Sequence, residues 1–268
     1  MRKIKWFHNH ALTLEIFVTA NLAFLVLDVF IAHSVNNFAH WGEWVPVLFS
    51  IVASLTLLCI LFTGDGRIKR WGGFAVGWCS VGIGIWGMIF HLNSQFFTDF
   101  TIRSLVYTAP FVAPLAFCGL GLLLIMNRMV HRESIEWGKW VVCMALGGFF
   151  GNFLLTLCDH AQNGFFEPLE WIPIFTSAIA FGFLMTALLQ PIHPPFLKVC
   201  VVILIINGLA GLLGFFLHLL VDLRSAELSI RDKFIYGAPV FAPLLFVDLA
   251  LLGMLGIWNL AGKVQKIR

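Results

Sequence analysis

Glu43-Trp44-Val45-Pro46-Val47 and Glu170-Trp171-Ile172-Pro173-Ile174 are two versions of one pentapeptide, 127 residues apart (170 − 43). The same offset carries His33 onto His160 and His91 onto His218. Further along, Tyr107-Thr108-Ala109-Pro110 with Ala113-Pro114 matches Tyr236-Gly237-Ala238-Pro239 with Ala242-Pro243. The offset there is 129 (239 − 110), so two residues enter the intervening loop, where Thr101-Ile102-Arg103 resembles Ser229-Ile230-Arg231. A fixed period of this length marks a duplicated structural unit.

Composition says what kind of unit it is. Of 268 residues, 60% are hydrophobic and 12% charged, against about 25% charged in an ordinary soluble domain. Phe (28), Trp (10) and Gly (24) are abundant and Tyr occurs twice. This excludes a soluble enzyme, a disordered chain and a nucleic-acid binder. The net charge of +3 is too small to call for an anionic partner. Apolar stretches of about 20 residues, each able to cross a hydrocarbon core as a helix, recur throughout.

Eight spans can be drawn: Ala11 to His33, Trp44 to Phe62, Phe74 to His91, Leu105 to Met126, Trp137 to Cys158, Trp171 to Leu189, Phe196 to Leu219, and Ile235 to Trp258. The first is too long for a signal-peptide core and lacks a small-residue cleavage site. The expected fold is an all-α integral membrane protein of eight transmembrane helices. Residues 1–130 form the first four-helix repeat and 131–268 the second. Four spans is an even number, so both copies keep one orientation and are related by a pseudo-twofold axis along the membrane normal.

Basic residues orient the bundle. Arg2, Lys3 and Lys5, then Arg67, Lys69 and Arg70, then Arg128, Arg132 and Lys139, then Lys263, Lys266 and Arg268 fall on one side. Arg103, Arg224, Arg231 and Lys233 fall on the other. The positive-inside rule puts both termini in the cytoplasm of a bacterial-type inner or plasma membrane. Trp44, Trp137 and Trp171 begin spans, as interfacial aromatics do. The six cysteines lie in apolar runs with no Cys-x-x-Cys spacing, which reads as packing.

The matched polar residues gather on the non-cytoplasmic side. In the first copy these are His33, Glu43, His91, Arg103 and Tyr107, and in the second His160, Glu170, His218, Arg231 and Tyr236. Of nine histidines four are matched, and both tyrosines are matched to each other. Caps and loop bonds at the interface account for some such residues, and a glutamate suits a helix N-terminus. Polar groups near membrane depth are nevertheless costly. Histidines ending spans one and three of a bundle reach the same height, and neutral imidazole is the commonest metal ligand.

Two cofactors compete. The first is b-type haem, one per repeat, with His33/His91 and His160/His218 as axial ligands. Gly84 and Gly87, and likewise Gly211 and Gly214, sit seven and four residues before His91 and His218, on the histidine face. They would admit a macrocycle, while Arg103 and Arg231 would pair with propionates and Tyr107 and Tyr236 would stand nearby. Ligands on alternate helices look like the haem arrangement of cytochrome b bundles, an analogy of architecture with no shared motif. The second is a non-haem iron, copper or zinc held by His33, Glu43 and His91 and again by His160, Glu170 and His218. This uses the glutamates and leaves the glycines and arginines unexplained.

The expected function is membrane electron transfer, as a redox subunit of a larger oxidoreductase, with other membrane redox subunits or a quinol as partners. Metal-dependent chemistry, pigment binding, and a cofactor-free transporter or scaffold are the alternatives. The halves differ: Asp159 precedes His160 where Ala32 precedes His33, and Asp28 corresponds to Leu155. Asp248, deep in span eight, should be protonated, paired or water-exposed, with Asn152 or Asn207 as candidate partners. Phosphate loops, dinucleotide fingerprints, HExxH helices and nucleophile elbows are missing from the sequence.

Overall fold

The computed structural model describes residues 9–190, 193–226 and 229–267, and these are helical with no strand among them. In chain order the helices are α1 His10–Ser34, α2 Trp44–Phe62, α3 Gly66–Asn93, α4 Phe96–Asp99, α5 Ile102–Tyr107, α6 Leu115–Met129, α7 Ile135–Gln162, α8 Trp171–Leu189, α9 Pro194–Arg224, α10 Ile230–Tyr236 and α11 Leu244–Ile267. Seven of them, namely α1, α2, α3, α7, α8, α9 and α11, are long and apolar enough to cross a membrane. A lipid bilayer is the environment that suits them. Their outward apolar residues agree, since Phe62, Leu209, Val202 and Phe216 are each more than half exposed, as a water-facing surface rarely tolerates in such number.

Local chemistry sets the boundaries. Asn9 caps α1 by accepting from Leu12 N, Asp65 caps α3 by accepting from Arg67 and Ile68 N, and Ser134 caps α7 by accepting from Trp137 N. With Asp65 as cap, α3 starts eight residues before the expected Phe74, so Arg67, Lys69 and Arg70 ride on its first turns rather than in a connection. Of the residues expected to orient the chain, Arg2, Lys3, Lys5 and Arg268 lie outside the described residues.

The fourth and eighth expected spans are broken. Leu105 to Met126 is divided into α5, a turn over 108–114, and the 15-residue α6. Ile235 to Trp258 is divided into α10, a turn over 237–243, and α11. The cause is the matched proline pairs, Pro110/Pro114 and Pro239/Pro243. Proline lacks the N–H for the helical ladder and pushes its predecessor out of helical dihedrals. At 1.5 Å per residue α6 reaches roughly 22 Å, short of a hydrocarbon core of about 30 Å. Tyr107 and Tyr236 therefore close short surface helices instead of opening long ones.

Helix packing forms two rings. α1, α2, α3 and α6 pack in sequence around one, with α6 returning to α1, and α7, α8, α9 and α11 do the same around the other. The rings meet along α6 and α7 and, more lightly, along α1 with α10 and α11. Buried residues from both rings, including Leu14, Leu22, Phe117, Trp137, Phe149 and Leu204, form one hydrophobic core.

Polar bonds close the first ring, and tie it to the second through Trp137, at the end bearing the start of α1. Arg128 Nη1 lies 2.8 Å from Glu15 Oε1, Asn127 Nδ2 donates to Ala11 O and Glu15 Oε1, and the fully buried Trp137 donates through Nε1 to Asn127 Oδ1. Deeper in the bundle, Asn21 on α1, whose Nδ2 donates to Phe17 O at 3.1 Å, is the polar side chain within reach of Asp248 on α11. This corrects the expected partners Asn152 and Asn207. At the sequence offsets of 127 and 129, Asn21 and Asp248 correspond to Gly148 and Gly119. The polar pair thus occupies one seam between the rings, and two glycines stand at the matching places in the other.

Candidate functional site

The end opposite the Glu15 staple is built twice in closely similar geometry. After α1 the chain turns through Asn37 and Phe38, both left-handed (φ 57° and 53°), and after α7 through Gly164 and Phe165 (φ 73° and 52°). Phe38 N donates to His33 O, and Phe165 N to His160 O, each at 3.2 Å. A non-glycine residue at positive φ is strained, and here stacking offsets the strain: Phe38 on Trp44 at 4.1 Å and Phe165 on Trp171 at 4.3 Å. Each turn sets a histidine at its helix end and then leads into a short helical turn, Trp41–Glu43 or Pro168–Glu170, that delivers the glutamate.

The histidines converge. The rings of His33 and His91 lie 6.2 Å apart, centre to centre, at 61°. Two imidazoles bound to opposite sides of one ion through bonds of about 2.0 Å have ring centres roughly 6 Å apart, and on adjacent positions about 5 Å. His33 Nδ1 faces Val29 O at 3.0 Å, His91 Nδ1 faces Pro110 O at 2.8 Å, and His218 Nδ1 faces Pro239 O at 3.0 Å. A carbonyl only accepts, so these Nδ1 atoms carry the proton and their Nε2 lone pairs are available to a ligand. Metal-binding histidines are oriented in this way by a bond at the other ring nitrogen. His160 Nδ1 lies 3.5 Å from Glu170 Oε2, and His160 is within electrostatic range of His218.

The glutamates belong to the same clusters. Glu43 is within electrostatic range of His91, and Glu170 of His218. Asn36 Nδ2 donates to Glu43 Oε1 at 2.8 Å. Glu43 Oε2 is buried without a hydrogen bond, while the buried Glu170 Oε2 has the His160 Nδ1 contact as its polar neighbour. Buried carboxylate oxygens are normally satisfied. Among the described residues, no three His, Cys, Asp or Glu side chains stand at ligand distances around one point.

The glycines have another occupant. A Cβ on Gly84 would stand 2.8 Å from Pro114 O, and one on Gly211 2.7 Å from Pro243 O. A Cβ on Gly87 or Gly214 would stand 2.9 Å from the Pro114 or Pro243 Cβ. The face expected to admit a macrocycle is filled by the matched prolines just before α6 and α11. Small-residue packing between spans explains all four. Gly84→Val and Gly211→Val are each expected to cost about 1–3 kcal/mol by overpacking, read as a lowered melting temperature in detergent. Gly82→Ala, where the added carbon meets nothing within 4 Å, should leave melting unchanged or slightly raised.

Arg103 and Arg231 are exposed on α5 and α10. Arg103 lies over the Tyr107 ring at 6.0 Å, and Tyr107 and Tyr236 are themselves about half exposed. One residue that sequence reasoning missed is Asp222. It is fully buried, accepts from Ala238 N through Oδ1 at 2.7 Å, and leaves Oδ2 without a partner within electrostatic range of His218. In the first half Ser94 Oγ accepts the equivalent bond, from Ala109 N. The signal was available, since Asp222 follows His218 by four residues on one helix face. Comparison with protein-family models, with curated proteins and with solved structures finds no match.

Proposed function

We propose that the chain is an integral membrane redox protein holding two metal centres, one in each half. His33, Glu43 and His91 form one, and His160, Glu170 and His218 the other. The observation that carries this is the meeting of His33 and His91, with both Nδ1 atoms committed to backbone carbonyls. The buried Glu43 Oε2, which has no hydrogen-bond partner, and the Glu170 carboxylate beside His160 favour a bare ion with a carboxylate ligand. Two imidazoles and a carboxylate suit iron or copper with open positions, and zinc where no electron moves. Asp222 gives the second centre an extra carboxylate, so the two should differ in potential.

In this reading the chain crosses the bilayer eight times, α6 being the short span. Residues 1–130 and 131–268 are tandem copies, and both termini face the cytoplasm. The centres then lie near the outer leaflet, where other redox subunits or a quinol exchange electrons with them. The second reading is b-type haem between His33 and His91, which the 6.2 Å ring separation also suits. Elemental analysis with a reduced-minus-oxidised absorption spectrum of purified protein separates the two. Metal without a Soret band is expected. A Soret band would establish haem, and neither metal nor haem would overturn both readings.

A further inference from the structure

Two crevices lie where the rings meet, at places related by the sequence offsets. In one, α7 residues Leu155, Cys158, Asp159 and Gln162 face the α5–α6 connection, and the space is about 10 Å³. In the other, Asp28 and Ala32 of α1, with Val35 just after it, face Phe234, Pro239 and Phe241 across about 140 Å³. The difference has a residue-level cause. Gln162 Nε2 donates to Val106 O at 2.7 Å and draws the first crevice shut. Its counterpart Val35 has no group with which to do so.

The open crevice has aromatic and aliphatic walls and one carboxylate. Asp28 makes no hydrogen bond or ion pair among the described residues. A carboxyl group at this depth calls for a polar partner. Ala32 and Val35 are exposed, so the crevice is reached from the flank of the bundle. It also adjoins both histidine clusters: Ala32 precedes His33, and Pro239 supplies the carbonyl facing His218 Nδ1. A cavity of about 150 Å³ holds one benzene ring.

We infer that this crevice binds a single hydroxylated aromatic ring, the head group of a quinol-class lipid-soluble molecule, with Asp28 hydrogen-bonded to its hydroxyl. The choice of a quinol-class head rests on the redox reading above. The site itself stands on the cavity and the unpartnered carboxyl.

Titration of the full chain in lipid nanodiscs with methylhydroquinone, followed by saturation-transfer NMR, tests it, with metal content measured on the same samples. Saturable binding by the wild type is expected. Asp28→Leu, which copies the second half's Leu155, should weaken it at least about tenfold, the equivalent of one hydrogen bond to a charged group. Ala32→Phe should block it by filling the crevice, which keeps the test usable if Asp28→Leu misfolds. Asp159→Leu, in the closed crevice, should bind as the wild type does. Metal-loaded wild type without saturable binding would overturn the inference and leave the metal reading standing, as would unchanged affinity in both crevice variants. Binding without metal would do the reverse, and absence of both would overturn both.

Discussion

Replacing His91 and His218 with alanine in one chain is expected to strip both halves of metal while leaving the bundle folded. Each imidazole supplies one of three proposed ligands, and its Nδ1 bond to Pro110 or Pro239 fixes the direction of Nε2. Loss of an orienting partner alone typically costs ten- to a hundredfold in metal affinity, so loss of the ligand should cost more than about a hundredfold. Both side chains are half-buried within helices, and alanine is the best helix former, so far-ultraviolet circular dichroism should be unchanged. His91→Ala alone should halve the metal content, and so should His218→Ala. Glu43→Gln and Glu170→Gln keep the side-chain shape and remove the charge, so they should weaken binding in their own halves only. Retention of all metal by the double alanine variant would exclude these histidines as ligands.

The second large effect is structural. Glu15→Ala is expected to destabilise the protein by about 3 kcal/mol, because it leaves a buried guanidinium without its counter-charge. The Arg128 side chain is 6% exposed and that of Glu15 21%, so solvent screens little of the loss. Arg128 Nε donates to Lys69 O at 3.3 Å, while Nη2 has no partner. The guanidinium occupies the space that the missing side chain of Gly73 leaves open. Arg128→Met should fill that gap without charge, so Glu15→Ala with Arg128→Met should be more stable than Glu15→Ala alone. The comparison is made by thermal melting in detergent. A double variant less stable than Glu15→Ala would mean that packing by Arg128, rather than charge pairing, holds this end together.

The apolar runs foretold α2 and α8 at their observed boundaries and the interiors of the other long helices, because burial in lipid demands long uninterrupted apolar stretches. The matched prolines are visible as repeats, yet hydropathy does not show that they divide two spans, since it averages across a turn that stays apolar. The histidines and glutamates were legible from the repeat, and the structure sets His33 6.2 Å from His91 by ring centres and His160 Nδ1 3.5 Å from Glu170 Oε2. The glycines beside His91 and His218 were misleading because spacing gives the face a residue presents and not what fills it. Pro114 and Pro243 fill it. The partner of Asp248 was misjudged because which helices adjoin across the seam is a tertiary fact. Periodicity cannot show that Asn21 on α1 reaches α11. Asp222 escaped notice because it has no counterpart in the first half, where Ser94 makes the equivalent bond.

The most direct measurement is X-ray absorption at the metal edge of protein purified from membranes. Two histidines per metal, with their outer-ring scattering and a first shell of nitrogen and oxygen at about 2.0–2.2 Å, is the predicted result. A sulfur-dominated shell, or a metal site without imidazole scattering, would contradict the account.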